Sequence, residues 1–206
     1  MKLLARFSGK AAAWLGRPAA WGWAGAAALL AAFALRAPLT ATMFLHMLVH
    51  IPLILLSGIL AGRAWSMAGI APRLRALLGS FDPYGLAGLL FFSLVVTYWM
   101  IPKALDEVLL FHAADLSKFA SVFIAGLVLY FSLRRANIVV QLFFLGNMCW
   151  MMAIVGLLYR ENPTRLCNFY LMNDQEIAGT GLVAVAIALP VIWLWAWRRR
   201  IWRFLR

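Results

Sequence analysis

Two histidines and two methionines crowd one apolar run, Met43-Phe44-Leu45-His46-Met47-Leu48-Val49-His50. At 3.6 residues per turn, Met43, His46, Met47 and His50 fall at i, i+3, i+4 and i+7, which lines two imidazoles and two thioethers along one stripe of a helix. Imidazole suits copper, and thioether sulfur selects the cuprous ion over harder cations. Ionisable side chains are rare inside a membrane span, because burying them is costly unless a partner or a site receives them. The competing explanation is packing: Met fills gaps in apolar helices, and an intramembrane His often only hydrogen-bonds to a neighbouring helix.

A later apolar run carries Met148, Cys149, Met151 and Met152. Met148, Cys149 and Met152 share a face by their i, i+1, i+4 spacing. Further soft or ionisable candidates are Met100, Asp106, His112, Cys167, Met172 and Asp174. Each has a plain alternative, Cys149 as a small buried hydrophobe and the acids as solvated loop residues. His112 is the strongest of the loop candidates, since His is the usual switchable ligand and base.

The elements that must position these residues follow from composition. Of 206 residues, 65% are hydrophobic and only 13% charged, more apolar surface than a soluble domain of this size can bury. The formal charge of +12 sits at the ends of apolar runs and not on a polar domain, which excludes a nucleic-acid-binding face and indicates membrane topology. Two cysteines give neither a disulfide framework nor a C-x-x-C site.

An all-α polytopic bundle forming a single transmembrane domain over 1–206 is expected. Six apolar segments match a bilayer core of about 30 Å, near residues 18–35, 39–62, 85–102, 117–133, 137–159 and 178–197. The first also has the features of a secretory signal, and its retention is expected. Lys2, Arg6, Lys10, Arg17, Arg63, Arg73, Arg75, Arg134, Arg135, Arg198, Arg199, Arg200, Arg203 and Arg206 fall on one side if both termini are cytoplasmic. The other side receives only Arg36, Lys103, Lys118, Arg160 and Arg165, with six of the seven acids. The segment 63–85, with Trp65, Met67, Leu74, Leu77 and Leu78 among its arginines and Pro72 to start a helix, is expected to lie in the interface. The second span then enters from the outer face, with His46 about 10 Å and His50 about 16 Å below its outer end, level with Met148, Cys149 and Met152 on the fifth.

Three ordered motifs resemble the multi-span CtaG-type cytochrome c oxidase assembly factors of bacterial membranes. They are His46-Met47-Leu48-Val49-His50, like the family's H-M-x-x-H; Trp99-Met100-Ile101-Pro102 through Asp106, with His112 and Phe123-Ile124-Ala125-Gly126 following; and Asp174-Gln175-Glu176-Ile177-Ala178-Gly179. The resemblance covers about residues 43–180. It implies a periplasm-facing site that handles copper during assembly of a haem–copper oxidase, with His46, His50, Asp106, His112 and Asp174 carried over. Family members have seven spans, and further histidines where this chain has Asp115 and Lys118.

The expected function is therefore that of a non-enzymatic copper-binding protein of the bacterial inner membrane, with oxidase subunits or a periplasmic copper chaperone as partners beside the lipid bilayer. In this reading His46 and His50, with Met43 or Met47, hold cuprous ion within the bundle, and His112, Met100 and Met172 form a transfer site at the outer rim. The same residues leave open a copper transport or resistance protein, and a haem-binding or structural accessory subunit of a respiratory complex. The inner half of the bundle has no His, which disfavours a transport pathway, and bis-His haem ligation requires histidines on facing helices. No phosphate loop, nucleophile elbow, zinc helix or carboxylate pair points to an enzyme.

Overall fold

Apolar runs interrupted by Pro, Gly and basic clusters set where the helices start and stop. A computed structural model of the chain describes residues 16–69 and 72–204, and every regular element within them is a helix. In chain order these are α1 (Pro18–Ala34), α2 (Arg36–Leu39), α3 (Met43–Ala68), α4 (Pro72–Phe81), α5 (Leu86–Trp99), α6 (Pro102–Leu110), α7 (His112–Arg135), α8 (Ile138–Glu161) and α9 (Met172–Phe204). Pro18, Pro72 and Pro102 each occupy a first helical position, where the missing N–H costs nothing. Thr42 and Asn137 cap α3 and α8 through their side-chain oxygens.

Among the described residues α3, α7, α8 and the Met172–Arg198 part of α9 are long and apolar enough to cross a membrane. α5 and α6 together make a fifth such stretch, and α1 is apolar but shorter, at 17 residues. The span expected over 85–102 is broken: α5 ends at Trp99, and α6 departs at 72° to it. Pro102 supplies no N–H to continue the ladder and forces Ile101 into an extended conformation, φ −75° and ψ 128°. Tyr159 on α8 donates its hydroxyl to the carbonyl of Met100, satisfying an acceptor that the break frees. Large apolar side chains such as Trp23, Phe81, Phe143, Trp150 and Trp195 point outward, an arrangement suited to lipid. Lys2, Arg6, Lys10 and Arg206 lie outside the described residues, as do the side chains of Arg73, Leu74, Arg75, Leu77 and Leu78 on α4 and of Arg199, Arg200 and Arg203 on α9.

α3 and α7 cross at two glycines. A Cβ on Gly58 would strike the carbonyl oxygen of Phe123, and one on Gly126 would strike that of Leu55, so the backbones touch only because neither residue has a side chain. Gly62 continues the contact against Tyr130. The pairs 58 with 126 and 62 with 130 keep one offset in sequence, so the two helices run parallel in register. Gly156 and Gly179 make a similar approach between α8 and α9. α1 packs along the other flank of α3, with Gly25 against Ser57.

Candidate functional site

The register set at the glycine crossing determines what faces His50. Gly58 follows His50 by eight residues and Gly126 follows Lys118 by eight, so parallel helices carry His50 and Lys118 at the same level. Lys118 Nζ lies 3.4 Å from Nδ1 of His50 and 3.2 Å from Nε2 of His46. All three side chains are fully buried.

The local backbone of α3 aims both rings at that point. Residues His46–His50 form a π-turn, in which the N–H of Ile51 donates to the carbonyl of His46; such turns occur mostly as single widened turns at functional sites. Pro52 has no N–H, so the carbonyl of Leu48 would lack its α-helical donor in any case. The ring centroids of His46 and His50 are 5.5 Å apart.

The hydrogen-bond network assigns both tautomers. Nε2 of His50 donates to the carbonyl oxygen of Ala32 on α1 (3.1 Å), which leaves Nδ1 as an acceptor. Tyr170 donates its hydroxyl to the carbonyl of Thr40 (3.2 Å) and accepts from Nδ1 of His46 (2.8 Å), which leaves Nε2 of His46 as the acceptor. Two lone pairs therefore converge on one place, and the Lys118 ammonium occupies it. Its third proton goes to Oδ1 of Asp115, one turn away on α7, at 2.9 Å. Oδ2 of Asp115 in turn pairs with Arg36 at 3.4 Å. An ammonium has three donors and no acceptor, so this one is saturated.

A polar recess of about 250 Å³ opens beside Asp115, bordered by Arg36, Thr40, Phe111 and His112. His112 is exposed there, at the start of α7. Asp115 thus has one oxygen on the buried ammonium and also borders the recess.

The other candidates lie elsewhere. Met43 is buried in the core. Met47, adjacent to His46 in sequence, borders a separate apolar cavity together with Met100, Met148 and Met152, so the expected stripe does not act as one face: the two imidazoles meet Lys118 and Met47 turns to other methionines. Cys149 is half-buried and packs against the core, and Asp174 sits in the first turn of α9. Met172 begins α9. Asp106 accepts from the backbone N–H of Asn168 at 2.9 Å and from its side chain at 3.0 Å. Gln175 accepts from Leu166 N–H at 2.8 Å and donates to the Tyr159 carbonyl at 3.0 Å. These two motif residues fasten the loop 162–171, which carries Tyr170 to His46. Cys167, in the same loop, is buried, and burial together with Asp106 pushes its thiol up to about 12. It is therefore no ready thiolate ligand. Burial also raises Tyr170, with Cys167 and the nearby acids adding to it, so its hydroxyl stays protonated.

Among the described residues no group of three or more His, Cys, Asp or Glu is arranged to hold one ion. Sequence reasoning missed Lys118 and Tyr170 as members of the site. A signal for Lys118 was present: Gly58-x-x-x-Gly62 marks a close helix crossing, and the eight-residue spacing from Gly126 back to Lys118 equals that from Gly58 back to His50. No family model, no curated protein and no solved structure matches this chain.

Proposed function

We propose that this protein handles cuprous ion in the bacterial inner membrane, assisting metallation of a haem–copper oxidase, with six spans and both termini cytoplasmic. The carrying observation is the convergence of Nε2 of His46 and Nδ1 of His50 on one point, each ring tied at its other nitrogen to Tyr170 or to the Ala32 carbonyl. Metal-binding imidazoles are oriented in this way, by a partner on the second nitrogen. The cation now at that point, the Lys118 ammonium, carries the same single charge as cuprous ion. Copper arriving through the recess at His112 and Asp115 takes the place of the ammonium between the imidazoles, and Lys118 withdraws along Asp115. A competing cation built into the site makes the hold weak and exchangeable, which suits delivery to an oxidase subunit or exchange with a periplasmic copper chaperone.

The His46→Ala/His50→Ala variant is expected to lower both bound copper and the copper content of the oxidase. Lys118→Leu, which removes the competitor without adding a sulfur donor, is expected to tighten cuprous binding about tenfold or more, or about 1.4 kcal/mol. Asp115 keeps Arg36 as its partner in that variant. Metal analysis of detergent-purified protein loaded under reducing conditions reads both effects. Copper unchanged in the double variant would sink the proposal.

The saturated Lys118 favours a second reading, a proton relay with no metal. That reading predicts that Lys118→Leu abolishes function and that neither the wild type nor the variant retains copper.

A further inference from the structure

A cavity of about 250 Å³ lies between α3, α5, α8 and α9, beside the π-turn. Close-packed interiors seldom leave a gap of this size. Its walls are Leu, Ile, Val, Pro and aromatic side chains together with Met47, Met100, Met148 and Met152, and no charged residue borders it. Trp99 directs its indole N–H to Ser121 at 3.0 Å, which leaves ring carbons for the cavity. All four thioethers are buried.

The four methionines arrive by three local devices. Met47 comes from the π-turn, and Met100 from the residue after α5 where the helix breaks, with its carbonyl held by Tyr159. Met148 and Met152 stand at i and i+4 on α8. Four of the nine methionines of the chain thus border one cavity. Gap-filling alone would scatter them through the bundle.

We infer that this cavity is a second cation station, binding cuprous ion through thioether sulfur. Neutral soft donors in an apolar enclosure select a soft monovalent cation, since a divalent or strongly hydrated ion would lose far more hydration than thioethers return. The role of this station rests on the copper-handling proposal, in which the ion then has an imidazole stop and a thioether stop on one helical turn.

The test is X-ray absorption spectroscopy and metal analysis on the full-length protein in detergent, loaded with cuprous ion under reducing conditions. Wild type is compared with Met148→Leu/Met152→Leu and with His46→Ala/His50→Ala. Sulfur scattering in the wild type is expected, and its loss in the Met variant with about one ion fewer per chain and the nitrogen signal retained. Leu for Met nearly keeps the volume, and Met100→Leu, read in the same way, serves if the double variant does not fold. Only nitrogen scattering in the wild type overturns the station and leaves the imidazole site standing. Only sulfur scattering, kept in the His variant, supports the station and overturns the imidazole site. No bound copper in any form overturns both.

Discussion

Lys118 brings a positive charge to a fully buried position, and what surrounds it decides whether that is tolerable. Removing one partner of a buried pair leaves an uncompensated charge, at about 3–5 kcal/mol, whereas removing both partners can be nearly neutral. Asp115→Asn is accordingly expected to destabilise the protein by about 3 kcal/mol, read as a loss of thermal stability in detergent. Asp115→Asn/Lys118→Met should return to within about 1 kcal/mol of wild type, because the two changes are coupled through one contact. A loss in the double variant equal to the sum of the losses in Asp115→Asn and Lys118→Met would show that the pair has no such coupling. The two imidazoles contribute differently, as neutral acceptors whose orientation depends on Tyr170 and Ala32.

At the scale of elements, the crossing of α3 and α7 at Gly58 and Gly126 decides which side chains meet. Gly126→Leu would drive a side chain into the backbone of α3, and overpacking of this kind costs about 1–3 kcal/mol. The expected outcome is a lower melting temperature and a loss of the interaction between Lys118 and the histidines, visible as changed imidazole nitrogen chemical shifts by NMR. A variant with wild-type stability would mean that the helices do not touch there. The helices themselves were legible in the sequence, because long apolar runs bounded by Pro, Gly and basic residues admit little else. The stripe of His and Met was legible only in part. Period analysis assumes 3.6 residues per turn, and the π-turn over His46–His50 departs from that period. Lys118 was assigned to the outer basic residues because charge counting treats each helix alone, whereas its position depends on a neighbour's glycines.

For the whole molecule, three distant sequence motifs act on one place. The break at Pro102 tilts α6 so that Asp106 meets Asn168, Gln175 grips Leu166, and the loop between α8 and α9 presents Tyr170 to His46. Cys167 belongs to that loop and is 1% exposed, with its thiol pushed up to about 12 by burial and by Asp106. Alkylation at pH 8 is therefore expected to leave Cys167 unmodified in the folded protein and to reach it after denaturation, as followed by mass spectrometry. Rapid modification of the native protein would mean that the loop opens readily. The sequence motifs identified the residues that fasten this loop but not their task, because a carboxylate that holds backbone N–H groups and one that holds a metal look alike in one dimension.

The ion pair of Lys118 with Asp115 joins residues three apart on a single helix, and this bears on how the chain enters its membrane during synthesis. A lone charge at the centre of a span opposes insertion by about 2.5–3.5 kcal/mol, and Lys118, in the second turn of α7, meets part of that cost. α7 brings its own counter-ion, so the segment can partition into lipid as a locally neutral unit before docking against α3. A lysine already neutralised and held in place would then meet the histidines, and the expected order is insertion first and assembly of the polar cluster second.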